Sequence, residues 1–484
     1  MHSDFDGGSV AGSTGAPSKP ATVEQCHLVI DSCHLVIDTL SLELVQLREQ
    51  VALLSERIKL DSRNSSKPPS SDGPGSGNRA QRRASGRRRG AQKGHPGSFR
   101  ALLSEAEVDR VHHCPPPPVC ECGGAVSAVG EPLRHQVFDI PPVRADVQEY
   151  RLFSGVCQVC RRNHRAALPA GVPSGQIGAR ALALIGVLGS SFHLTQLKIR
   201  NLLAQMMGLD FSVGAISQAH GKVAQALQAP VAEAVRSLAI DAPVVHMDET
   251  RYPREGSANW VWGAVQPKLA VFSVLPSRAR YVAQDLLGAA PKGVLVTDRY
   301  AVYAFVGAEQ RQVCWAHLLR DFTRIAERQG VARTVGRRLL GLGLLMFRWR
   351  HRGMTTAEQF EPLSRRLRRA LQAGVAQTGC RRTANTCANL LKLWPALWGF
   401  VSHPGVEPTN NAAEQALRTI VLKRKISGPT RSKRGDQFIA RAYTAFETCR
   451  RQGRDFLAYL HSAVLAWIDN AAHPTLLPQP PPTG

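Results

Sequence analysis

Two short apolar runs that each end in an acid restrict the fold more than anything else in this chain. Val244-Val245-His246-Met247-Asp248 and Gly293-Val294-Leu295-Val296-Thr297-Asp298 read as buried strands. Trp260–Val265 and Ala270–Leu275 read as two more strands, joined by Gly/Pro-containing turns. Residues 279–288 form a short helix, and Gln312–Trp315 is a candidate fifth strand. A strand-end Asp is by itself more often a turn former than a ligand. A third acid changes the weighing. Glu414 lies in Pro408-Thr409-Asn410-Asn411-Ala412-Ala413-Glu414-Gln415-Ala416-Leu417-Arg418, where the two Asn residues predict a side-chain N-cap and a helix running to about Arg424. The helix dipole alone explains part of an acid in that first turn. Three carboxylates from two strand ends and one helix, however, make a divalent-metal site for phosphoryl transfer.

Three strands, a helix, a strand and a later acid-bearing helix is the order of a ribonuclease-H-like α/β fold. It is expected over residues 240–450, with an Arg-rich helical insertion at 318–403 that includes Arg337-Arg338, Arg365-Arg366 and Arg368-Arg369. A C-terminal helix at 451–470 and a Pro-rich tail at 471–484 follow.

The rest of the chain divides by composition. A formal charge of +24 and a pI near 10.2 point to a polyanionic partner, and nucleic acid is favoured over membrane because no long apolar span stands out. Residues 1–22 read as disordered, with no signal peptide. Eleven cysteines are too sparse for a disulfide scaffold and fit a reducing cytoplasm. Residues 23–60 carry a heptad repeat. Ile30, Ile37, Leu44, Val51 and Ile58 form one set, and Cys26, Cys33, Leu40, Leu47 and Leu54 the other. Mostly β-branched a positions with Leu at d predict a parallel two-stranded coiled coil, hence a homodimer. Residues 61–110 are a basic flexible linker whose Arg87, Arg88 and Arg89 suit DNA phosphates.

Cys120, Cys122, Cys157 and Cys160 make a zinc-binding-like module at 111–168, although Cys120-Glu121-Cys122 has one spacer residue where Cys157-Gln158-Val159-Cys160 has two. Cys114 and His164 are alternative ligands. Leu194–Met207 and Ser212–Leu227, inside a helical stretch at 174–238, read as helix, turn, helix, which is either a helix-turn-helix-like DNA-binding domain or ordinary helical packing.

The chain resembles the transposases of the insertion-sequence-sixty-six family, a branch of the DDE transposases, over roughly residues 40–465. The resemblance rests on Asn64-Ser65-Ser66-Lys67-Pro68-Pro69-Ser70-Ser71-Asp72, Gly94-His95-Pro96-Gly97, the cysteine pairs, His246-Met247-Asp248-Glu249-Thr250, Thr297-Asp298, Cys314-Trp315-Ala316-His317 and Asn410-Asn411-Ala412-Ala413-Glu414. It implies that Asp248, Asp298 and Glu414 are the catalytic triad and hold two Mg²⁺ or Mn²⁺ ions. It also implies cleavage and strand transfer at the terminal inverted repeats of an insertion sequence, with accessory proteins of the same element as further partners. Thr409 stands where the family pattern has Asp, and Gln415 where it has Arg. Arg418, Lys423, Arg424 and Lys425, beyond Glu414, are expected to meet phosphates. His317 either lines the site or packs beside it. Glu249, Asp321, Glu407 and Glu447 are acids expected to lie outside the triad. Two rivals are weighed: a nuclease on the same fold, disfavoured by the coiled coil and cysteine module, and a catalytically inactive DNA-binding derivative, disfavoured by three intact acids.

Overall fold

A computed structural model describes residues 100–288 and 291–478, with seven helical positions between Val36 and Leu47. The expected leader at 1–22, most of the heptad helix and the arm with Arg87, Arg88 and Arg89 lie outside the described residues. The heptad positions belong to one compact unit, Met1–Arg83, and everything below belongs to a second, Ala84–Gly484.

The cysteine segment contains two tight turns. β1 (Ser154–Val156) pairs antiparallel with β2 (Asn163–Arg165). The connection between them is closed by Cys157 N–H donating to Arg162 O at 2.9 Å and Arg161 N–H to Cys157 O at 2.9 Å. A second turn joins Cys120 N–H to Gly124 O at 2.8 Å beneath an isolated Val119–Ala125 bridge.

Four helices follow: α1 (Ala179–Gly189), α2 (Gln196–Met207), α3 (Val213–Ala226) and α4 (Gln228–Asp241). Thr195 and Ser212 hydroxyls accept from the N–H groups of Lys198 and Ala215, so α2 and α3 begin where their caps lie in the sequence. The helix-turn-helix spacing is therefore present. The two helices share a compact unit and a core with the sheet. In α3, Ile216, Ala219, His220, Val223, Ala224 and Ala226 are all buried, because α1 and the two last helices of the chain enclose it. The exposed part of α3 is its first turn with Gln218 and Gln225.

The sheet has five strands in the order β5-β4-β3-β6-β7. These are β3 (Val244–Arg251), β4 (Trp260–Val265), β5 (Ala270–Leu275), β6 (Val294–Thr297) and β7 (Arg311–Val313), with α5 (Arg280–Leu287) between β5 and β6. β4 is antiparallel to both β3 and β5, while β6 lies parallel to β3 and β7 parallel to β6. The fifth strand thus covers Gln312 and Val313 of the expected Gln312–Trp315 span, starting at Arg311, and Trp315 opens a helix instead.

Beyond the sheet come α6 (Trp315–Ala326), α7 (Gly330–His351), α8 (Ala357–Ala376), α9 (Arg381–Lys392) and the one-turn α10 (Gly399–Ser402). Then α11 (Asn411–Ser427) packs on β3 and β4, and α12 (Lys433–Gln452) on β5. Gly453, with φ of 68°, ends α12 in the left-handed conformation that lacks a Cβ penalty. The last helix, α13 (Phe456–Ile468), therefore starts later than the expected 451–470 span.

The alternation of the strands builds two cores. Val245, Met247 and Leu295 join one with α1–α4 and α11–α13. Val294, Val296 and Val313 face the other, made with Trp315, Phe322, Leu339 and Leu367 of the insertion. No helix among the described residues is long and apolar enough to cross a membrane.

Candidate functional site

Side chains alternate across a strand. Asp248 therefore shares the face of His246 on β3, and Glu249 takes the opposite one. The two acids have different surroundings. Glu249 is buried, with its carboxylate ion-paired to Arg278 at 2.5 Å and accepting from the Tyr303 hydroxyl. Its charge is already answered. Asp248 has no such cation. Burial raises its carboxyl well above the usual carboxylate range, and Glu249, Asp298 and Glu414 push it the same way. A carboxyl with that field around it is short of positive charge.

Asp298 follows the last residue of β6, the strand next to β3. Its Oδ1 accepts from Tyr300 N–H at 2.9 Å, a local turn that fixes the chain as it leaves the sheet. Beneath it Arg311 of β7, buried, donates to Thr297 Oγ1 and to Asp298 O at 3.3 Å each.

Glu414 sits in the first turn of α11, and the helix start is held to the sheet by Asn410. Sequence predicts a side-chain cap here, yet no such bond is made. The Asn410 amide instead donates to Met247 O at 2.8 Å, and its oxygen meets His246 Nδ1 at 3.2 Å. Burial lowers the His246 pKa, so a neutral ring donating through Nδ1 fits. Asn410 N–H also donates to Cys314 Sγ at 3.2 Å, and Trp315 N–H to Pro408 O at 2.9 Å. These bonds fasten the beginning of α6 to the beginning of α11.

His317, one turn into α6, brings Nδ1 to 3.4 Å from Glu414 Oε1, and Arg320 Nη2 approaches the same oxygen at 3.7 Å. Neither His317 Nδ1 nor Glu414 Oε1, both buried, completes a hydrogen bond. Burial and Arg320 lower the His317 pKa, with Glu414 and Asp298 acting against them.

Among the described residues, one group of three or more metal-ligating side chains has its donor atoms within 4.8 Å of one another: Cys314, His317 and Glu414. Asp298 and Glu414 are near enough to Asp248 to raise its pKa, but the three acids do not form such a group. Cys120 with Cys122 and Cys157 with Cys160 do not meet in such a group either. Each pair is internally bonded: hydrogen bonds from Cys122 lower the Cys120 pKa, and those from Cys160 and Val159 lower that of Cys157.

The remaining acids have other partners. Asp321 pairs with Arg299 at 2.6 Å and Arg324 at 3.1 Å, and Glu447, buried, with Arg450 at 2.6 Å and Arg451 at 2.9 Å. Glu407 is exposed, 3.6 Å from Arg350. Of the basic residues past Glu414, Arg418 and Lys425 are exposed and Arg424 is half-buried. Lys423, expected on phosphates, is buried and donates to Leu194 O at 2.8 Å. It faces the α1–α2 loop rather than solvent, and burial lowers its pKa to about 8.

Sequence reasoning passed over Cys314, Arg320 and Asn410 as parts of the site. A signal existed for two of them, since Cys314-x-x-His317-x-x-Arg320 puts the three on one side of a helix start. Asn410 carried no local sign of its cross-chain role.

Comparison with known proteins agrees with this architecture. The model of a family described as "Transposase IS66 family" matches residues 174–437, and that of a family of unknown function, DUF6444, matches residues 19–101. The uncharacterized protein y4hP of Sinorhizobium fredii is 26% identical over 401 residues, covering 74% of this chain and 72% of its own. The uncharacterized protein y4qI of the same organism is 24% identical over 402 residues, covering 73% and 72%.

Proposed function

The chain belongs to the IS66 transposase family, and from that premise we propose that it cuts and joins DNA strands at the ends of an insertion sequence through a two-metal carboxylate site. The observation that carries the reading is that Asp298 leaves the end of β6, the strand paired in parallel with the β3 strand that holds Asp248, while burial, Glu249, Asp298 and Glu414 all raise the Asp248 carboxyl. Sheet order and direction are those expected of a ribonuclease-H-like core.

The donor set suits Mg²⁺ or Mn²⁺, hard ions that prefer carboxylate oxygens. Asp248, Asp298 and Glu414 would hold the ions. When bound, such ions supply Lewis-acid activation of a water or DNA 3′-hydroxyl and stabilise the leaving oxygen. The protein's part is positional. Asn410 fixes the depth of Glu414 against β3, Arg311 holds the backbone at Asp298, and Arg320 partly offsets the charge of Glu414.

Arg418, Arg424 and Lys425 would meet phosphates along α11. A second basic surface accompanies them: from Gly330 to Lys392 the insertion carries twelve arginines and one lysine against two glutamates. Arg337, Arg338, Arg365, Arg366, Arg368 and Arg369 are exposed. Together with the Arg87–Arg89 arm, these predict DNA affinity that falls steeply with salt. The two cysteine turns would share one structural Zn²⁺.

The test is Mg²⁺-dependent nicking of a duplex that carries the element's end. Glu414→Gln keeps volume and helix propensity but removes a ligand charge, so nicking should fall by orders of magnitude while end binding persists. Asp248→Asn and Asp298→Asn should do the same, and Glu407→Gln should nick normally. Normal nicking by Glu414→Gln, with loss in Glu407→Gln, would move the assignment to another acid.

A further inference from the structure

We propose that Cys314, His317 and Glu414 form a site for one thiophilic dication of the zinc type. A thiol sulfur, an imidazole nitrogen and a carboxylate oxygen lie within 4.8 Å of one another. Cys314 is the residue before α6 and His317 is one turn inside it, so both project from the same side of the helix start. α11 brings Glu414 to them from across the sheet.

A second observation points to a ligand. His317 Nδ1 and Glu414 Oε1 are buried, unbonded, and 3.4 Å apart. Buried polar atoms left without a hydrogen bond are costly, and with the His317 proton on Nε2 these two present facing lone pairs. Arg320 at 3.7 Å is too distant to satisfy them by hydrogen bonding. A cation that accepts both atoms would remove the cost. The mixture of S, N and O donors selects its class: thiolate and imidazole suit Zn²⁺ and poorly suit Mg²⁺. Three protein ligands leave a tetrahedral ion one open position. The Cys314 sulfur already accepts the Asn410 N–H at 3.2 Å, the kind of outer contact that orients a metal-bound thiolate. This site shares Glu414 with the proposed acid set but does not need strand cleavage to exist.

The experiment uses the full-length protein, stripped with chelator and titrated with Co²⁺ as the spectroscopic substitute for Zn²⁺. The cysteine module contributes equally to every variant, so the difference between wild type and Cys314→Ser reports this site alone. Wild type should retain about one equivalent more metal per chain, and the difference spectrum should show thiolate-to-cobalt charge transfer. His317→Asn, at a partly exposed position, should lose the same equivalent, with circular dichroism melting confirming that each variant is folded. Should Cys314→Ser fail to fold, His317→Asn decides by itself. Equal metal content and equal spectra in wild type and the folded variants would overturn the inference and leave an ordinary imidazole–carboxylate contact. If cobalt binds as expected while Glu414→Gln nicks DNA normally, the strand-transfer reading fails and this one stands.

Discussion

Asn410 and Lys423 bracket what single residues reveal in advance. Both lie on or beside the acid-bearing helix, and both act on partners far away in sequence. Asn410 meets His246 across 164 positions, and Lys423 meets Leu194 across 229. Local chemistry suggests an N-cap and a phosphate contact, because Asn before a helix and Lys beside Arg usually do those things. Only the packed sheet and the α1–α2 loop assign the observed roles. Lys423 has a measurable signature. Its pKa is lowered from 10.5 to about 8, so between those values the unfolded chain holds a proton at this site that the folded chain lacks. The folded state therefore gains stability as pH rises through that window, and the cost of the buried charge is constant below it. The gain is at most about 3 kcal/mol. Urea denaturation at stepped pH should show wild type strengthening relative to Lys423→Met from pH 8 upward. A flat difference would mean that the amine is solvated.

Among elements, the strands were the most legible. β4 and β5 coincide with their sequence-based spans, since a short apolar run between turn residues has few other uses. The helix-turn-helix spacing was equally readable, but its burial was not, because an apolar helix face looks the same whether it covers a sheet or its own neighbours. The break at Gly453 was readable and passed over. The α6–α7 pair shows how closely the insertion is built. A Cβ on Gly336 would overlap the backbone of Ile325 and Ala326, whereas Gly341 on the same helix has nothing within 4 Å of that position. Gly336→Ala should thus destabilise by about 1–3 kcal/mol through overpacking. Gly341→Ala should stabilise by roughly 0.5–1 kcal/mol through helix propensity. Thermal melts of the two variants check the contrast, and two shifts of the same sign would refute it. Because α6 carries His317 and Arg320, the Gly336 variant should also nick DNA more slowly than its stability alone requires.

For the whole molecule, charge and assembly matter more than any one contact. The expected dimer rests on the heptad seam. Its described members Ile37, Leu40, Leu44 and Leu47 are helical, with more than half of their surface exposed. Two such stripes would cover each other in a parallel pair. Ile37→Asp with Leu44→Asp places unpaired charges in the seam, so light scattering on the full-length double variant should give half the wild-type mass. An unchanged mass would place the contact between copies elsewhere. That the helical layer, sheet and last three helices share one core was hidden in the sequence, where the shift from helical to strand periodicity looks like a domain boundary.

The order of these parts along the chain has a consequence for synthesis. Asp248 and Asp298 belong to strands made early, but α11 follows only after the whole insertion. At roughly 5–20 residues per second, the ribosome needs on the order of ten seconds to travel from one to the other. Throughout that interval the nascent chain has a sheet but no Glu414 to set against it. A message cut short inside the insertion would yield a protein that could still grip DNA through its arginines yet lack the last acid, and such fragments would compete with the intact protein for the same ends.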